Sequence, residues 1–264
     1  MNKIDEKHKV LIINNFYTLP CILQFNLKTN LMKKLLLTYL FLVSGLILHA
    51  QEYYWTTYSF NVEASDVETV GNLVNQYFSK EGSKAEGVTV YLFENHFRDK
   101  DNDWSHQLAF TGTLDAMGNQ YSRGVNESWE LFLTKLGQYT KSYSAAAGKS
   151  LITLGEPGAH PIQNILWFDV EDASKFANAW NKYHSKFNPK DRRMTLGQFR
   201  LGRSPMGETH YALMGFNDFK TAFEPNAYRK GNKAAEKAWN EFIEEVSDIV
   251  TILRSNTRIM MGKW

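Results

Sequence analysis

The sequence predicts an α+β protein built of two tandem halves, each reading strand, helix, strand, strand, helix, strand. Three observations predict it. A linker with two prolines and a glycine, Glu156-Pro157-Gly158-Ala159-His160-Pro161, interrupts the periodic segments near the middle of residues 51–264. Segments recur across that linker: Phe60-Asn61-Val62-Glu63 returns as Phe168-Asp169-Val170-Glu171, 108 residues on. Trp129, Phe132, Leu136, Tyr139 and Tyr143 return as Trp239, Phe242, Val246, Ile249 and Leu253, each displaced by 110. Between these, Val88–Phe93 resembles Met194–Phe199 and Ser105-His106 resembles Thr209-His210, at offsets of 106 and 104, so loops absorb the differences. Finally, the periodicity switches between two and 3.6 in the same order in both halves.

The first strand, 53–63 and then 162–171, alternates Tyr58, Phe60 and Val62 against Thr57, Ser59 and Asn61. A helix follows, with Val67, Val70, Leu73, Val74, Tyr77 and Phe78 on one stripe and Ser65 with Glu68 as a capping box. Its counterpart carries Phe176, Trp180, Tyr183 and Phe187, and Pro189 stops it. Strands are expected near 88–96 and 106–113, then 193–201 and 209–216. Long connections, 114–127 and 217–232, lead to second helices at 128–147 and 233–254. The last strands, 150–154 and 257–261, each precede a glycine, Gly155 and Gly262.

This order resembles the ferredoxin-like fold, an antiparallel sheet with both helices on one face. As a tandem pair it resembles the dimeric α+β barrel superfamily, in which two such sheets pack face to face; here one chain supplies both. The resemblance covers about 53–264, rests on element pattern alone, and carries over no residue roles. It implies a ligand pocket between the sheets. There Trp55, Thr57, Ser59 and Asn61 face Ile165, Trp167 and Asp169, and Phe223 and Tyr228 of the second long connection are expected to close over them. The resemblance also implies that a haem-binding member carries an axial histidine on a helix. Neither 128–147 nor 233–254 holds one, so no cofactor is expected.

The N-terminal region reads differently. Met32-Lys33-Lys34, the apolar run Leu35–Leu48 and His49-Ala50 follow the order of a cleavable export signal, with Gln51 as the first mature residue. A run of 14 residues reaches only about 21 Å as a helix, short of a ~30 Å hydrocarbon core. Residues 1–31 are expected to be an upstream extension from a mis-assigned start, 32–50 the signal, 51–155 the first repeat, 156–161 the linker and 162–264 the second repeat. The exported chain, periplasmic or extracellular, would keep no transmembrane anchor. It loses the single cysteine, Cys21, and with it any disulfide or thiol chemistry. Its net charge falls from +2 to −2, because residues 1–50 hold six Lys/Arg and two Asp/Glu, which argues against a nucleic-acid partner.

Catalytic motifs are sparse. No phosphate loop, nucleophile elbow, zinc helix or dinucleotide fingerprint is present. His106 and His210 stand at equivalent positions and are the weak acid/base candidates; His184, on the stripe of its helix, reads as a packed residue. Asp99-Lys100-Asp101-Asn102-Asp103 alternates carboxylates as a calcium loop does. It lacks the glycine and the final glutamate, with Trp104 and Phe110 in those places, so it reads as a solvated hairpin tip and no metal is expected. Arg192, Arg193, Arg200 and Arg203 read as charges protecting an edge strand. The expected function is a non-catalytic, exported protein that binds a small apolar or aromatic molecule. The alternatives are a cofactor-independent monooxygenase, with His106 or His210 as acid/base and Trp167 as a wall, or a structural envelope protein. Self-association is left open.

Overall fold

The computed structural model describes residues 52–100, 102–155, 160–202 and 207–264. The residues expected to form an export signal, most of the linker, Asp101 and Arg203 lie outside them. The first half runs β1 (Tyr54–Val62), α1 (Val67–Phe78), β2 (Thr89–Arg98), β3 (His106–Gly112), α2 (Leu114–Ser122), α3 (Glu127–Gly137) and β4 (Thr140–Leu154). The second runs β5 (Ile162–Val170), α4 (Ala173–Phe187), β6 (Arg193–Leu201), β7 (His210–Phe216), the short α5 (Phe219–Phe223), α6 (Lys233–Val246) and β8 (Val250–Lys263).

All eight strands join in one closed antiparallel barrel, ordered β1-β3-β2-β8-β5-β7-β6-β4. Each half contributes four neighbours, and the halves are sewn together by β2 on β8 and β4 on β6. The last strand of each half therefore has two jobs. Residues 140–149 of β4 pair with β1, and residues 147–154 pair with β6.

That double pairing explains where the helices end. The apolar spacing predicts helix through 147 and 254, whereas α3 stops at Gly137 and α6 at Val246. Tyr143, Ala145, Ala146 and Ala147 lie in β4, and Leu253 lies in β8. Helix propensity in the alanine run is worth a few tenths of a kcal/mol per residue, which pairing with β1, joined by β6 from Ala147 on, outweighs. The long connections also differ from expectation, since α2 and α5 form within them. Helix starts follow local chemistry: the side chains of Thr113, Asn126, Asp172, Asp218 and Asn232 each accept from a backbone N–H in the first turn. Each such cap contributes about 1 kcal/mol. The Ser65/Glu68 box does not form; a 3-10 turn at Ala64–Asp66 precedes α1 instead.

Closure also corrects the reading of the arginines. β6 lies between β4 and β7, so it has no free edge to protect. Closing the sheet leaves three main cores. On the outside of the barrel, α1 and α3 cover the first half through Val70, Val74, Phe78, Phe132 and Leu136. α4 and α6 cover the second through Phe176, Trp180, Tyr183, Phe242 and Val246. The third core is the barrel interior.

Candidate functional site

The space between the sheets is filled. Trp55 meets the edges of Phe199 and Tyr211 with ring centroids 5.2 and 5.4 Å apart, and Trp167 stacks on Phe199 at 5.5 Å. Two glycines make room, for a side chain at Gly148 would overlap Trp55, and one at Gly197 would overlap the Tyr211 ring. Several polar groups inside pair with one another. Trp167 Nε1 donates to Asn256 Oδ1 (2.7 Å), Asn256 Nδ2 to Asn95 Oδ1 (2.8 Å), and Asn95 Nδ2 to the Trp104 carbonyl (2.9 Å). Arg258 donates to Gln163 and Gln107 and lies 3.8 Å above Phe93; burial lowers its pKa to about 9.

The loop read as a solvated tip belongs to this interior. Trp104 is buried among the aromatic rings, Asn102 Nδ2 donates to the Ser255 carbonyl, and Asp99 accepts from the Ser255 N–H. The residue 104 positions on, Glu208, is also fully buried and pairs with Arg254. Hydrophobic and ionic plugs thus occupy equivalent places in the two halves.

The cavity lies elsewhere, between the outer face of the second half's sheet and its helices. It measures about 320 Å³, in the range of small-molecule sites. Phe168, Met194, Ala212, Met214 and Val250 form its floor, and Phe176 and Trp180 of α4 face Trp239 and Phe242 of α6. His184, Asn188, Arg192, Pro225 and Tyr228 line it as well, Pro225 and Tyr228 coming from the connection after α5. The first half fills the corresponding volume with rings. Phe78 meets Phe110 and Phe132, each at 5.7 Å, and Trp264 packs on Phe78 while its Nε1 donates to Asn75 Oδ1. At the repeat offsets, His184 replaces Phe78 and Met214 replaces Phe110, which leaves space.

His184 is buried against Trp180, Tyr183 and Phe242. Burial, with the charges of Arg229 and Arg192 adding to it, lowers its pKa to about 3. The imidazole is neutral at physiological pH, able to accept a hydrogen bond but a poor base. Tyr183 OH meets Tyr228 OH at 3.0 Å, and burial raises the pKa of Tyr183.

A pH effect on stability follows. The unfolded state takes up a proton at His184 below pH 6.5, and the folded state does not until about pH 3. The contribution is therefore fully present above 6.5 and is lost as pH falls, by about 1.4 kcal/mol per pH unit. His106 and His210, also lowered by burial, act in the same sense. His184→Phe, which copies the first half, should flatten the fall by about one proton in urea titrations at neutral and mildly acidic pH; an unchanged slope would contradict it.

Of the residues expected to surround a ligand, only Tyr228 lines this cavity. Trp55, Ser59 and Trp167 are buried in the barrel, Asn61 accepts from the Ser105 N–H, and Asp169 and Phe223 are exposed. His106 and His210 are not brought together. His106 stacks on Phe60, His210 lies edge-on to Phe176, and their Nδ1 atoms meet Ser105 and Thr209 hydroxyls. His184 and Arg192, read as a packed residue and an edge charge, line the cavity instead. The signal that could have found His184 is its exchange for Phe78 once the halves are aligned. No group of three or more His, Cys, Asp or Glu suited to a metal forms among the described residues.

Solved structures share this fold. A candidate monooxygenase from Fusobacterium nucleatum superposes with a TM-score of 0.55 at 13% identity, covering 80% of this chain and 93% of its own. The chain has the ferredoxin-like α+β barrel fold. A candidate monooxygenase from Lactobacillus acidophilus gives 0.54 at 10% identity, covering 81% and 95% of the two chains. An anthrone oxidase-like protein gives 0.51 at 13%, covering 81% and 93%. No family model and no curated protein matches the sequence.

Proposed function

We propose that this α+β barrel is an exported, non-catalytic binding protein whose small apolar or aromatic ligand occupies the cavity of the second half. The observation that carries the reading is the cavity's lining: aromatic and aliphatic walls with polar groups gathered at His184, Arg192 and Tyr228. Export rests on the signal-like order of residues 32–50.

A second reading, a cofactor-independent monooxygenase, is favoured by the fold likeness to the two candidate monooxygenases. Such chemistry begins by taking a proton from the substrate. A histidine with a pKa of about 3 is several units too weak for a phenol near 10, which is why binding is preferred.

The test has two arms. Mass spectrometry of the exported protein should find Gln51 at the N-terminus, and a chain retaining 32–50 would remove the export reading. Calorimetry should show the neutral probe naphthalenemethanol binding the wild type. Ala212→Phe, which projects a ring from the cavity floor, should weaken that binding by about 100-fold or more, and Ile243→Trp at its rim should do the same. Equal binding to the variants would place the ligand elsewhere, and probe-dependent oxygen uptake would favour the oxygenase.

A further inference from the structure

The cavity's polar end carries the guanidinium of Arg192, and the carboxylate that acts on it, that of its neighbour Asp191, is exposed outside the lining. Arg192 is 5% exposed, and its guanidinium lies 4.8 Å over the Phe216 ring and 5.4 Å from Tyr228. Its Nη1 donates to the Pro225 carbonyl, while its Nε has no hydrogen-bond partner among the described residues. On the other side of Tyr228 stands Arg229, 3.9 Å over the Trp239 ring, whose Nη1 also lacks one there. No Asp or Glu lines the cavity. Among the described residues, no ion pair joins either guanidinium to a carboxylate.

A buried guanidinium is costly unless a counter-charge meets it, and its planar fork matches a carboxylate. The fold does not require the charge: 106 positions earlier, in the half whose core is filled by rings, stands Glu86, which is exposed. Apolar walls leading to a buried guanidinium, with no carboxylate in the lining, describe a receptor for a molecule with the opposite layout.

We infer that the cavity takes an amphipathic monoanion, an aromatic carboxylate, with its ring against Trp180 and Trp239 and its carboxylate held by Arg192 and the Tyr228 hydroxyl. This rests on the proposal that the cavity holds a ligand at all. Arg192 sets the class of ligand, and the walls set its size.

Calorimetry at neutral pH with naphthoate and its neutral counterpart naphthalenemethanol tests it. Naphthoate should bind roughly 10- to 100-fold more tightly, the range of a charge-assisted hydrogen bond. Arg192→Met should erase that preference, naphthoate losing far more affinity than the alcohol, and Arg192→Lys should keep part of it. Should Arg192→Met fail to fold, Arg229→Gln gives a second reading, a several-fold loss for naphthoate alone. Equal affinities in the wild type, or a preference that survives Arg192→Met, overturn the carboxylate inference and leave the cavity proposal standing. If neither probe binds, both fall.

Discussion

Replacing Glu208 with leucine should destabilise the barrel by about 3–5 kcal/mol, read as a lower urea midpoint with an unchanged m-value. Glu208 is completely buried, and Arg254, 3% exposed, pairs with it while its guanidinium lies 4.7 Å over Trp167. Removing the carboxylate takes away a fully buried partner of the guanidinium in a region of low polarity, and the loss of that buried pairing dominates the effect. The double variant Glu208→Leu/Arg254→Leu should lose less than the sum of the two single variants, because both substitutions act on one buried pair. A single variant within about 1 kcal/mol of wild type would mean that the pair does not organise the interior.

The fold was largely legible because duplication leaves a record that composition does not. Phe60 with Phe168, and Trp129 with Trp239, align the halves before any element is assigned. What failed was local inference about segments whose partners are distant. Tyr143 continues the 3-4 spacing of Leu136 and Tyr139, yet it faces the interior from β4. Alternate residues of a strand and successive turns of a helix can both keep aromatic side chains toward cores, and the pairing of β4 with β6 is invisible in a short window.

The site was less legible for a related reason. Expecting two sheets with a cleft between them makes Trp55 and Trp167 ligand contacts, whereas edge-to-edge closure turns the same rings into packing. The space displaced from the interior reappears behind the sheet, where His184 and Met214 stand in for phenylalanines. Tyr228 was within reach because an aromatic-rich connection beside a sheet is a natural lid. Arg192 was not, since charge at a strand's start has the same appearance whether it guards an edge or lines a cavity.

Trp104→Ala should cost about 3–5 kcal/mol and convert the filled interior into a receptor for indole. Trp104 is 1% exposed, sits with the rings of Trp55, Trp167, Phe199 and Tyr211, and belongs to a loop pinned to β8 by Asp99 and Asn102. Those pins hold the loop in place without the ring, so the barrel cannot collapse fully onto the vacated volume, and the loss includes a cavity term beyond the transfer of an indole group. Added indole should then raise the variant's melting temperature by more than the wild type's, which offers the probe only the outer cavity, by the linkage between ligand binding and stability. The Arg192 variants give the complementary control: naphthoate should still bind Trp104→Ala with wild-type affinity, since its site lies behind the sheet. Indole stabilising both proteins alike would mean that removing the ring opens no further site, and the reading of Trp104 as the plug of a packed barrel would have to be abandoned.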